Sequence, residues 1–168
     1  MNNMIESLII REFRPDDWNY IKDIYQQGLD TNIATFQTEC PTFDDWDSGH
    51  LQDCRFVAVF DGKVIAFVVL SPTSKREVYR GVVEVSIYLD LQYTKLGIGT
   101  KLFNHLIKAA ERNGYWSLYS SIIDKNVASI ALHKKCGFRE IGFREKIAKD
   151  RFGNWHNTIL LERRSCLI

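Results

Sequence analysis

The stretch from Val82 to Asn113 constrains this chain more than any other. Val82–Leu89 is a β-prone run, a short polar segment follows, and Gly97-Ile98-Gly99 then opens the clearest helical pattern in the sequence. Ile98, Leu102, Leu106 and Ala109/Ala110 recur at helical spacing and predict one buried stripe, with Gly114 as a natural C-terminal stop. Glycine lets the backbone approach a ligand closely, and the first free amides of a helix make a site for an anion.

Three ligand-binding readings of that turn compete. A dinucleotide fingerprint needs a third glycine where Leu102 stands. A Walker A loop needs Gly-Lys-Ser/Thr, and the order here is Gly99-Thr100-Lys101. A compact pyrophosphate turn survives both tests, beside the plain alternative of a helix start with two incidental glycines.

The remaining elements follow from pattern. Leu8–Phe13 reads as a strand, and Pro15-Asp16-Asp17 starts a helix whose apolar face is Trp18, Ile21, Ile24, Tyr25 and Leu29. Thr42 precedes a short helical pattern with Phe43, Trp46 and Leu51. Arg55–Phe60 and Lys63–Leu70 flank Asp61-Gly62, a strong hairpin signal because both turn residues tolerate positive φ. Ser117–Ile123 reads as a strand and Ala128–Cys136 as a helix stopped by Gly137; Phe138–Glu145 and Asn157–Glu162 form a last pair of strands around Asp150–Gly153. The order is β-α-α-β-β-β-α-β-α-β-β, a mixed α/β sheet in one domain spanning 1–168.

Composition excludes several classes. Twenty-two basic against 21 acidic residues give a formal net charge of +1, so neither a nucleic-acid nor a membrane-surface partner is expected, and an anionic ligand needs a local cluster. Cys40, Cys54, Cys136 and Cys166 form no C-x-x-C pair; reduced thiols and no metal site are expected. The opening MNNMIESLII lacks the pattern of a secretory signal and no apolar run could cross a bilayer, so a cytoplasmic location is expected.

The strand–Gly97-x-Gly99–helix unit resembles the acetyl-CoA signature R/Q-x-x-G-x-G/A of the GNAT superfamily of N-acetyltransferases. The resemblance extends to the phosphinothricin acetyltransferase group through Thr35-Phe36, Glu84-x-Ser86-Ile87-Tyr88-Leu89, Asn126, Ala131-Leu132-His133-Lys134-Lys135-Cys136-Gly137-Phe138 and Gly153-Asn154-Trp155-His156, all in family order. Thr94 and Gln92 depart from the family's Gln and basic positions, while Lys95 keeps one positive charge. The resemblance implies a mostly antiparallel central sheet flanked by helices. It also implies acetyl-CoA as co-substrate, held by Ile87, Tyr88, Leu89, Lys95, Leu96, Gly97, Ile98, Gly99, Thr100, Asn126 and Lys135.

Transfer of acetyl to an amine needs a proton acceptor, and the resemblance puts Glu84 in that role and His133 in that of general acid. From the residues alone, Glu84 is equally a strand carboxylate in an ion pair, His133 a structural histidine and Lys135 a solvated lysine. On the acceptor side the resemblance implies Phe36, Lys75, Arg76 and Tyr79, the basic pair receiving a substrate carboxylate. Thr73 and Ser74 replace an aromatic and a basic residue of that loop. The implied activity is acetylation of a small amino-acid-like amine, of the methionine sulfone, sulfoximine or phosphinothricin type, by a homodimer. Acetylation of protein N-termini or lysines, and non-catalytic acetyl-CoA binding, are the alternatives.

Overall fold

In the computed structural model, which describes residues 2–168 with side chains from residue 5 onward, the β-prone runs assemble into one seven-stranded sheet. The strands are β1 (Ile9–Glu12), β2 (Phe56–Phe60), β3 (Lys63–Pro72), β4 (Val82–Leu89), β5 (Ser117–Ile123), β6 (Arg139–Lys149) and β7 (Trp155–Arg164). Their order across the sheet is β1-β2-β3-β4-β5-β7-β6, antiparallel throughout except for the parallel pair β4–β5. The helices are α1 (Asn2–Ser7), α2 (Trp18–Thr31), α3 (Phe43–Gly49), α4 (Ile98–Arg112) and α5 (Val127–Lys135). Among the described residues no helix is long and apolar enough to cross a membrane.

Local chemistry explains the elements. Asp61 (φ 48°) and Gly62 (φ 76°) take the positive φ that the β2–β3 hairpin needs. Thr42 caps α3 by accepting the Asp45 amide at 3.2 Å. The stripe expected on α4 is buried, and Phe103 and Ile107 widen it. Two cores lie on opposite faces of the sheet. One joins α4 to Leu70, Val83, Val85 and Leu118; the other joins Ile21 and Ile24 of α2 and Trp46 of α3 to Val57, Phe67 and Val69.

One helix escapes the sequence pattern. α1 has six residues, too few to hold its own helix in water, and it is seated by tertiary contact, with Lys101 Nζ donating to the Ile5 carbonyl at 2.7 Å. The last two strands run longer than their apolar pattern, because the ladder continues across an exposed hairpin whatever its side chains.

The feature that positions the site is the short junction of β4 and β5. They pair over only three residue pairs, Val82↔Ser117, Val83↔Leu118 and Glu84↔Tyr119, whereas β4 stays paired with β3 out to Leu89. Beyond Glu84 the two central strands part, and a wedge opens in the middle of the sheet.

Candidate active site

The wedge is the floor of a groove of about 1010 Å³. Glu84 to Leu89 line one side and Ser120 to Ile123 the other, with Gly97, Gly99, Thr100 and Phe36 also in the lining. Gly97 sits at φ 82°, a conformation that side-chain-bearing residues adopt only under strain, and it turns the chain into α4. The first helical bond is Lys101 N–H to Gly97 C=O at 3.1 Å, which leaves the amides of Ile98, Gly99 and Thr100 without helix partners. Gly99 is tightly packed: a Cβ there would come within 3.1 Å of Leu132 Cδ2. A negatively charged group approaching this turn meets free N–H donors and the positive end of the helix dipole.

Register fixes what faces the groove. Glu84 lies opposite Tyr119, and Tyr119 opposite Glu162, so these residues share one face of the sheet with Ser86 and Tyr88. That is the face covered by α2 and α3. Partial burial alone pushes the Glu84 carboxyl above the ordinary range, and among the described residues no cation or hydrogen-bond donor offsets it. Such a carboxylate is a better base than an exposed one. Among the described residues Glu84 has no ion-pair partner.

His133 departs from the role implied for it. The ring is 2% exposed, edge-on to Phe103 and Phe138, with Nδ1 at 2.7 Å from the Ser129 carbonyl and Nε2 at 2.9 Å from Ser120 Oγ. A carbonyl oxygen can only accept, so the proton sits on Nδ1 and Nε2 accepts the Ser120 hydroxyl. Burial lowers the pKa further, and the Ser129 bond only partly opposes it. A neutral ring with its one proton committed has none to give at neutral pH; its place is to orient Ser120 at the point where the strands part.

The other expected residues divide. Phe36, Ile87, Tyr88, Leu89, Lys95, Gly97, Gly99, Thr100, Asn126 and Lys135 line the groove with Glu84 and His133. Ile98 is wholly buried core and Leu96 packs on that core, so at the turn they offer backbone. Asn126 caps α5 through its Oδ1, which accepts the Ser129 amide at 3.2 Å. Lys75, Arg76 and Tyr79 are exposed and outside the groove, and the Arg76 guanidinium lies 5.3 Å from the centre of the Tyr79 ring. Ser120, Ser121 and Ile123 went unrecognised because their place depends on the strand separation, for which a sequence holds no local signal.

The segment that follows α2 is tied down from afar. Asn32, the left-handed residue that ends α2, donates to Asp150 Oδ2 at 2.8 Å. Asp150 also accepts from His156 Nε2 at 2.7 Å and from the amides of Phe152 and Asn154, and the His156 bond foremost holds its carboxyl well below the usual range. Phe36 lies edge-on to His156, with ring centres 6.2 Å apart. Among the described residues no group of three or more His, Cys, Asp or Glu side chains is placed to hold a metal ion.

The groove thus combines a split central sheet, a glycine turn with free amides and a half-buried carboxylate without a partner among the described residues. The acetyltransferase (GNAT) family model matches residues 18–138. The chain is 30% identical over 159 residues to the phosphinothricin N-acetyltransferase of Streptomyces viridochromogenes, covering 92% of this chain and 86% of that one. It is 31% identical over 94 residues to the L-methionine sulfoximine/L-methionine sulfone acetyltransferase of Pseudomonas aeruginosa, covering 56% and 54%. The crystal structure of a phosphinothricin acetyltransferase from Sinorhizobium meliloti in complex with AcCoA superposes with a TM-score of 0.84 at 26% identity, over 94% of this chain and 88% of that one. The chain belongs to the GNAT family and is an N-acetyltransferase.

Proposed function

We propose that the protein transfers acetyl from acetyl-CoA directly to the amine of a small amino-acid-like acceptor, with Glu84 as general base. The observation that carries this reading is Glu84 itself: half-buried, without a partner among the described residues, raised in pKa, and placed where the strands part. The free amides at Ile98, Gly99 and Thr100 suit the pyrophosphate, and the wedge suits an extended pantetheine arm, with Asn126 and Lys135 along its course. The amine nitrogen, once neutral, attacks the thioester carbonyl. The C–N bond forms, the C–S bond breaks, and the proton from nitrogen passes to Glu84 directly or through one water. Backbone amides of Ser86–Leu89 that face the wedge polarise the carbonyl. A thiolate whose acid has a pKa of about 8.5 leaves without an acid catalyst, so the neutral state of His133 is no obstacle.

The acceptor class rests on the relatives' substrates and on the loop between β3 and β4. Arg76 is proposed to take the acceptor's carboxylate, which requires that loop to close from its exposed position. Arg76→Ala is then expected to raise KM for α-amino acids about 10- to 100-fold, the worth of a charge-assisted hydrogen bond, with the acetyl-CoA KM unchanged. The measurement is thiol release from acetyl-CoA with a panel of free amines. An unchanged KM would place the carboxylate elsewhere, and acetylation of peptides or polyamines alone would remove the amino-acid reading.

The protein is further proposed to act as a cytoplasmic homodimer with the acceptor pocket near the interface. β6 is an edge strand, and its hairpin with β7 exposes the apolar side chains of Ile141, Phe143, Ile147, Phe152 and Trp155, the kind of surface a partner copy can cover. Light scattering is expected to give twice the chain mass, and Phe143→Glu to shift it to monomer; a wild-type monomer at working concentration would remove the proposal.

A further inference from the structure

A second cavity, of about 440 Å³, lies on the Glu84 face of the sheet, between α2, α3 and the segment that joins them. Thr35, Gln37, Ser86 and Tyr88 line both it and the groove, so the two spaces meet across these four residues. Its remaining walls are aromatic, with Tyr25, Trp46 and Phe67, and Phe67 stacks on Tyr88 across the strands at 5.4 Å. We infer that this cavity receives the side chain of the acceptor, and that Asp45 makes it select uncharged or cationic side chains over anionic ones. The inference rests on the reading of the protein as an amino-acid N-acetyltransferase.

Position along β4 supports the first half. The chain runs from the Arg76 loop through Val82 to Glu84, then to Ser86 and Tyr88. Side chains on one face of a strand recur about every 6.6 Å, so Glu84 stands between the loop and the cavity mouth at Ser86. An α-amino acid with its amine at Glu84 and its carboxylate toward the loop directs its side chain to Ser86. That placement leaves the wedge free for the other substrate.

The lining chemistry supports the second half. No lysine or arginine lines the cavity, and Asp45 is its one carboxylate. Arg55, 5.2 Å from the centre of the Trp46 ring, is paired with Asp47 at 2.5 Å and is not part of the lining. His50 Nδ1 lies 2.5 Å from the Trp46 carbonyl and so carries the proton, which leaves Nε2 as an acceptor; burial and Arg55 hold the ring neutral. Asp45, exposed at the rim with Oδ2 accepting from Thr42 Oγ1 at 2.7 Å, and His50 are acceptors, while the lining hydroxyls of Tyr25, Thr35, Ser86 and Tyr88 can donate or accept and none carries a positive charge. A side chain that brings N–H groups, such as an amide, sulfoximine or guanidinium, complements them. A second anion beside Asp45 does not.

The test is kcat/KM for a matched set of acceptors: glutamate, glutamine, methionine sulfoximine and arginine, the last chosen because its side chain is not itself acetylated. Wild type is expected to favour the last three over glutamate. Asp45→Lys should raise the glutamate-to-arginine ratio at least about tenfold, and Asp45→Asn, which keeps an oxygen for the Thr42 cap, should shift it the same way by a smaller factor. Melting temperatures establish that both variants fold, and the acetyl-CoA KM is the internal control. If wild type acetylates the set but neither variant moves the ratio, the cavity assignment alone is overturned. If wild type acetylates no α-amino acid, the parent reading falls and the cavity assignment falls with it.

Discussion

Glu84→Gln is expected to keep acetyl-CoA affinity and lose roughly 10²- to 10⁴-fold in turnover at neutral pH, the range for removing a positioned base. The loss should shrink as pH rises, because an acceptor amine with a pKa of about 8 to 10 then loses its proton without help. The wild-type acid limb of kcat/KM should lie above the ordinary glutamate range, in the direction burial moves this carboxyl. Stability carries an independent signature. A folded-state pKa raised above the unfolded one means the native protein holds a proton that the unfolded chain has released, so stability falls as pH rises through that window. The glutamine variant is therefore expected to melt higher than wild type at neutral pH, and the difference should vanish once pH falls below the unfolded carboxyl's range. A fully active glutamine variant at neutral pH would remove Glu84 from the chemistry.

Gly97→Glu is expected to abolish the thermal stabilisation given by acetyl-CoA. A ligand at 100 times its Kd stabilises the native state by about 2.7 kcal/mol, a readily measured rise in Tm. The substitution forces a side chain onto φ 82°, places its Cβ 3.3 Å from Ile5 Cδ1, and sets a carboxylate beside the free amides of Ile98, Gly99 and Thr100. Gly97→Ala separates these causes. It carries the backbone strain without the charge, so it should lower the Tm of the free protein yet keep a ligand-induced rise. Undiminished binding by the glutamate variant, measured calorimetrically, would exclude this turn as the pyrophosphate site.

How much of this was legible in the sequence depended on how local each cause is. The β2–β3 hairpin was readable because Asp61-Gly62 alone dictates it, and α4 because its stripe and its glycine ends lie within one segment. Gly97 and Gly99 stand out for the same reason, whereas Glu84 is marked only by its match to the family motif. The separation of β4 from β5 was not readable, since it depends on which strands are neighbours across the 27 residues of chain, 90–116, between them and on where their pairing stops. Ser120 and the orientation of His133 follow from that separation. Trp46 read as one face of a short helix, and so it is; its second use, as a wall of the smaller cavity beside Asp45 and His50, exists only after α3 settles on the sheet. Arg76 and Tyr79 were recognised by motif, but they lie exposed on a loop, and motif order says nothing about whether a loop is open or closed.

The three residue pairs between β4 and β5 also divide the sheet into two leaves, β1 to β4 on one side and β5, β7 and β6 on the other. Backbone amides and carbonyls along the inner margin of β4 past Glu84 face no strand, although they sit at the centre of the fold. Whatever fills the wedge stands in for the missing ladder and binds leaf to leaf. The spine of this book is also where Glu84 sits, so small changes in the opening angle move its carboxylate relative to whatever lies in the wedge. On the proposed mechanism, occupancy of the wedge by acetyl-CoA would set the alignment of the surface that meets the amine.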